Sequence, residues 1–243
     1  MKGLYDIHCH ILPGVDDGAR NMEEALWMLN KEYKDGVRHV ILTPHFRYEM
    51  FEPHMNIVTR GFMQLRREIV NIGQGDMQIY LGCELHSSMD MVECLKKGRR
   101  LTMAGSRYVL VEFSNNDEKS YIEERIRSLL MYGFIPIVAH AERYSATRND
   151  VRFLSELREA GAYIQINADT ISGHSGFGAK MDCWILWDLT DTGRMSGFRK
   201  LEDVWKKWKK PWGRNTQKKY LSKIPVRSQG DREKVFIAKE KNL

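Results

Sequence analysis

Six short apolar runs recur along the chain: Tyr5 to Ile7, Val37 to Leu42, Met77 to Leu81, Tyr108 to Val111, Phe134 to Ala139 and Tyr163 to Ile166. Their length and β-branched content predict strands. Between most of them the apolar positions recur at helical spacing. Asn21-Met-Glu-Glu24 reads as a helix cap with an acidic first turn, after which Ala25, Leu26, Leu29 and Tyr33 line one face until Gly36. Further helices are predicted over Val58 to Ile72, Ser120 to Tyr132, Asp150 to Ala160 and Ala179 to Thr192. Strand followed by helix, repeated, predicts a parallel sheet, and six or seven such units predict a barrel.

Polar residues interrupt this pattern at the strand ends. His8 and His10 close the first strand, His45 follows the second, Glu84 follows the third, Glu112 ends the fourth and His140 ends the fifth. If residues 4 to 10 are extended, alternation sends His8 and His10 to one face and Ile7 and Cys9 to the other. In a parallel barrel the carboxyl ends form a rim where side chains distant in sequence converge. Imidazoles and carboxylates together suit manganese, iron or zinc, and a carboxylate such as Glu84 suits bridging of two metals. His39, His54, His86 and His174 share no such pattern and read as surface or packing residues.

Composition narrows the class. The 243 residues can hold one sizeable core, so one domain is the default. No apolar run approaches the roughly 20 residues of a membrane span. Met1-Lys2-Gly3 leads at once to Asp6 and His8 without a signal-peptide core, which predicts a cytoplasmic protein. Cys9, Cys83, Cys94 and Cys183 show no CxxC spacing and read as reduced, structural thiols. Charge is divided unevenly. Residues 196–243 hold 15 Lys and Arg against 5 Asp and Glu, a net +10, whereas the preceding residues are net −4.

Asp6-Ile-His-Cys-His10, Val15-Asp-Asp-Gly18, Thr43-Pro-His45, Gly82-Cys-Glu84, Val111-Glu-Phe-Ser114 and Ala139-His-Ala-Glu-Arg-Tyr144 resemble the successive motifs of the PHP (polymerase and histidinol phosphatase) superfamily. Within it they most resemble the bacterial capsular-polysaccharide type of manganese-dependent protein tyrosine phosphatase, a group that Asn167-Ala-Asp169 also fits. The resemblance covers residues 1 to about 195. It implies a distorted (β/α)7 barrel with up to three metal ions, manganese or iron. Carried over by position, His8, His10 and Glu84 hold the first metal, Glu84, Glu112 and His140 the second, and Asp17 and His45 the third, while Arg143 contacts the substrate phosphate. The implied substrate is a phosphotyrosine protein, a bacterial tyrosine kinase of polysaccharide synthesis. Other PHP phosphoesterases, such as histidinol phosphatase, share part of the pattern, but Val15-Asp-Asp-Gly18 and His140-Ala-Glu-Arg143 favour the tyrosine phosphatases. A metal-dependent amidohydrolase lacks its bridging lysine here, and a catalytically inactive binding module is the reading from a different class.

The resemblance also implies a last barrel strand ending in Asp-x-His, and no histidine follows His174. Instead Ser196 leads into Val204-Trp-Lys-Lys-Trp-Lys-Lys-Pro-Trp-Gly213. Clustered Lys with interleaved Trp is one signature of nucleic-acid or anionic-lipid binding, and its spacing fits an amphipathic helix. The codons offer another origin. Trp is encoded only by TGG and Lys only by AAA or AAG, so Trp205 to Gly213, read from each third base, become Glu-(Glu/Lys)-(Val/Met)-Glu-(Glu/Lys)-(Ala/Thr)-(Leu/Met/Val)-Gly. That is an ordinary acidic helix. Residues from about 196 onward therefore read as an out-of-frame copy of the family C-terminus, with about a dozen residues also deleted, and no nucleic-acid partner is expected. The expected consequence is an incomplete barrel of low stability and weak phosphatase activity.

Overall fold

The computed structural model describes residues 4–148, 150–167, 221–227 and 232–238. Its elements alternate as the apolar pattern predicts: β1 (Leu4–Cys9), α1 (Met22–Lys34), β2 (Val37–Leu42), β3 (His45–Phe46), α2 (Met55–Asn71), β4 (Gln78–Leu81), β5 (Glu84–His86), α3 (Met91–Lys96), β6 (Tyr108–Glu112), α4 (Lys119–Met131), β7 (Ile135–Val138), α5 (Val151–Glu159) and β8 (Tyr163–Ile164). The helix over Ala179 to Thr192, the Trp- and Lys-rich stretch and Asp169 lie outside the described residues. In the basic tail, β9 (Leu221–Arg227) and β10 (Arg232–Ala238) pair antiparallel.

Two parallel sheets, β1-β2-β4 and β3-β5-β6-β7-β8, make up the barrel wall. They are one series of strands with a step in it. Thr43-Pro44 separates β2 from β3 and Gly82-Cys83 separates β4 from β5. Across the step, Gly82 N–H donates to the Leu42 carbonyl at 2.8 Å and Glu84 N–H to the Pro44 carbonyl at 3.1 Å, so the backbone pairing continues. Six strand positions result, in the order of the six apolar runs. Among the described residues no strand pairs with both β8 and β1.

The helices begin where the sequence can cap them. Asn21 accepts from Glu24 N–H at 2.9 Å at the start of α1, and Asp150 accepts from Phe153 N–H at 2.9 Å at the start of α5. Ala25 and Leu29 of α1 pack with Val58, Leu65 and Ile69 of α2 over Cys9, Val40 and Leu42, forming one outer layer. Leu129, Phe153 and Leu157 belong to a second outer layer with Val109 and Val138. Ile7, Ile41, Leu110 and Ile137 fill the inside. One expectation is corrected here: Ile7 and Cys9 do not share a face. The β1–β2 register shifts between Asp6 and Cys9, so Ile7 packs inside the barrel and Cys9 outside it.

Candidate metal centre

His8 ends within β1, and the chain then turns back on itself. Ala19 N–H donates to the His10 carbonyl at 2.9 Å, which closes the loop carrying Asp16, Asp17 and Gly18. The loop is tight enough to require glycine. A Cβ on Gly18 would lie 1.9 Å from the His10 carbonyl oxygen. His45 opens β3, Glu84 opens β5, Glu112 ends β6 and His140 follows β7, so five of the six strand positions supply side chains to one place.

Glu84 is at the centre and is fully buried. Its Oε2 lies 3.0 Å from His8 Nε2, 3.2 Å from His10 Nε2 and 3.2 Å from His45 Nδ1, and its Oε1 lies 2.8 Å from His140 Nε2. Glu112 stands at the edge of this group, 3.5 Å from His45 Nδ1 and 3.8 Å from His140 Nε2. Asp17 is 3.7 Å from His45 Nε2, with 62% of its side chain exposed, so that side of the cluster opens to solvent. Three donor groups emerge whose atoms lie within 4.8 Å of one another: His8, His10 and Glu84; His10, Asp17 and His45; His45, Glu84 and Glu112. His140 approaches Glu84 rather than completing one of these groups. Arg143 is exposed on the 3₁₀ turn after β7, and among the described residues its side chain forms no ion pair.

Three residues outside the predicted set fix the imidazoles. His10 Nδ1 donates to Asp16 Oδ2 at 2.9 Å, and the same oxygen accepts from His45 N–H at 2.9 Å. Gln165 Oε1 accepts from His8 Nδ1 at 3.2 Å and from His140 N–H at 2.6 Å. Tyr144 Oη gives its proton to the Ala139 carbonyl at 2.7 Å, so toward His140 Nδ1, 3.2 Å away, it can only accept. In His8, His10 and His140, Nδ1 thus faces Gln165, Asp16 or Tyr144 while Nε2 faces Glu84. A lone pair facing a carboxylate oxygen at about 3 Å is repulsive unless a cation or proton stands between them. Those donor atoms suit a divalent cation, and the carboxylate–histidine pairing through Asp16 is the support metal-bound imidazoles use. His140 adds a backbone sign of constraint. Its φ of 29° lies in the left-handed region, a conformation costing about 1–3 kcal/mol for such a residue, and the Gln165 oxygen on its N–H helps to hold it.

Charge follows from this packing. Burial works against the ionised Glu84, but His8, His10 and His140 hold its carboxyl well below the usual range. Burial, then repulsion from Glu84, pushes Glu112 up to about 7. Burial lowers His140 to about 4, keeping it neutral. Cys83, beside Glu84, is pushed up to about 12 by burial, so it offers no thiolate nucleophile.

The parallel α/β barrel and the rim of imidazoles and carboxylates define the class as a PHP-type hydrolase barrel. Residues 4–188 match the family described as "Capsular polysaccharide synthesis, CpsB/CapC", and the chain belongs to that family. It is 37% identical over 177 residues to the tyrosine-protein phosphatase CpsB of Streptococcus pneumoniae, a match covering 73% of this chain and 72% of the relative. It is 30% identical to the tyrosine-protein phosphatase YwqE of Bacillus subtilis, covering 71% and 68%, and 31% identical to the putative tyrosine-protein phosphatase CapC of Staphylococcus aureus, covering 71% and 68%. A solved structure from work on YwqE and CpsB, described as unique metal-dependent tyrosine phosphatases, superimposes with a TM-score of 0.67 at 29% identity over 72% of each chain.

Proposed function

We propose that this chain is a divalent-metal-dependent phosphatase acting on protein phosphotyrosine in capsular or exopolysaccharide synthesis. Its partner is a bacterial tyrosine kinase of that system, and its place of action is the cytoplasm. The convergence of three imidazole Nε2 atoms on the buried Glu84 carboxylate carries the reading. The assigned ligands are His8, His10 and Glu84 for one metal, Glu84, Glu112 and His140 for a second, and Asp17 and His45 for a third. Manganese is the assigned ion, with iron as the alternative. Cations held there supply Lewis acidity that neutralises phosphoryl oxygens and makes a water nucleophilic at neutral pH.

The chain's own residues do the rest. Glu84 keeps two subsites in register because its two oxygens face different imidazoles. Asp16, Gln165 and Tyr144 keep the imidazoles from rotating. Asp17 and His45 border the solvent side, where a phosphoprotein side chain enters. Arg143 presents a planar fork to the phosphoryl oxygens, and its charge already acts on His140.

The assigned domains are an incomplete barrel over 1–195 and an out-of-frame tail over 196–243. The end of the family match at residue 188 supports that boundary. The purified chain with manganese and an aryl phosphate is expected to turn over far more slowly than the S. pneumoniae relative. A version with the reading frame restored and the missing dozen or so residues, including Asp-x-His, supplied is expected to recover. Turnover equal to the relative, or stop codons interrupting the shifted frame, would refute the out-of-frame assignment; metal-independent turnover would refute the metal-dependent reading.

A further inference from the structure

The ring of Phe51 lies parallel to that of His45, with centroids 5.4 Å apart and planes 13° apart, and His45 stacks in turn on His10 at 4.3 Å. Three rings form a short column leading out of the donor cluster, and its outer member carries no metal-binding atom. Phe51 is half-buried, so part of its ring still meets solvent beside the site. A tight turn fixes it there. Arg47 N–H donates to the Phe51 carbonyl and Phe51 N–H to the Arg47 carbonyl, both at 2.8 Å, with Glu49 at a φ of 63° between them. Tyr48 ties this turn to the loop after β5 through its Oη and Asp90 Oδ2 at 2.7 Å. Met50 on the turn and Met89 on that loop are 58% and 75% exposed, apolar surface set among the charged Arg47, Glu49 and Asp90.

We propose that Phe51 is the wall against which the aromatic ring of a phosphotyrosine side chain packs, and that the Arg47–Phe51 turn thereby selects aryl over alkyl phosphomonoesters. The proposal rests on the phosphatase reading above and names the substrate feature that the site distinguishes. In an aryl phosphate a single ester oxygen separates phosphorus from the ring. A phosphoryl group seated at the imidazoles therefore leaves its ring at their rim, where the outer ring of the His10–His45–Phe51 column offers an aromatic face. An alkyl phosphate such as phosphoserine brings no ring to this place. The turn is preorganised by two backbone hydrogen bonds and the Tyr48–Asp90 contact, so little ordering is needed on binding. Aromatic contacts of this kind discriminate by about two- to tenfold.

The test uses two phosphonates that resist hydrolysis, benzylphosphonate and methylphosphonate, titrated into the manganese-loaded full chain by calorimetry. Benzylphosphonate is expected to bind several-fold more tightly. Phe51→Ala is expected to abolish the difference while leaving methylphosphonate binding within about twofold, and Phe51→Tyr is expected to restore it. Equal binding of the two phosphonates by the natural chain overturns the proposal. So does a Phe51→Ala chain that loses affinity for both in proportion, because that is the signature of a residue that merely shelters His45. Absence of any methylphosphonate binding overturns the phosphatase reading itself, and the ring wall with it.

Discussion

Asp16 receives two donors on one oxygen, the His10 ring and the His45 backbone, while its other oxygen takes Gly18 N–H at 3.0 Å. The sequence points to its neighbour Asp17, because a motif match cannot say which of two adjacent carboxylates faces the cluster and which turns inward. Asp16→Asn offers His10 an amide where it needs a charged acceptor. Manganese affinity, read by calorimetry, is expected to fall about 10- to 100-fold, and an unchanged affinity would remove Asp16 from its supporting role. His39 behaves differently. It is buried and stacked on Tyr5 at 4.2 Å, and burial together with the N-terminal charge holds its pKa below the ordinary 6.5. The folded chain thus favours the neutral ring, and the unfolded chain binds the extra proton. Stability from this residue is complete above 6.5 and is lost as pH falls below that value. Urea midpoints at about pH 7.5 and about pH 5 should therefore drop more for the natural chain than for His39→Phe, and equal drops would refute the assignment.

At the scale of elements, the loop between β1 and α1 governs the centre. Alanine at Gly18 would place its Cβ 2.4 Å from the His10 Cβ as well as against the His10 carbonyl, so His10 must leave its position. Gly18→Ala is expected to lower manganese affinity about tenfold or more while far-ultraviolet circular dichroism stays unchanged, since the loop lies outside the helices and the sheet ladder. Preserved affinity would show that the loop yields. The long elements were legible because their periods extend over several turns or pleats, and Asn21 marks a helix start in plain view. The short ones were not. β3 and β5 contain two and three residues, below the length at which alternation can be seen, and α3 has six. Gln165 carried a faint signal, a lone amide inside the apolar run Tyr163 to Ile166. Tyr144 closes the Ala139 to Tyr144 motif, but a tyrosine beside the exposed Arg143 shows no role until its hydroxyl is placed.

For the whole molecule, the six strand positions form an open series with β1 at one side and β8 at the other among the described residues. The resemblance to a seven-stranded barrel foresaw this order and the convergence at the rim. It could not foresee which distant side chains lock the imidazoles, since that depends on the curvature of the wall rather than on any local pattern. The Gln165 oxygen joins His8 on the first strand to His140 beside β8, the far side of the series, a link across 157 residues of chain. Closing so long a loop is entropically late in folding. A chain emerging from its N-terminus will have made every other described metal-facing side chain before Gln165 arrives. The order of synthesis therefore makes the His8 side of the centre the last to set, and a cation that comes early meets His8 still without its Gln165 support.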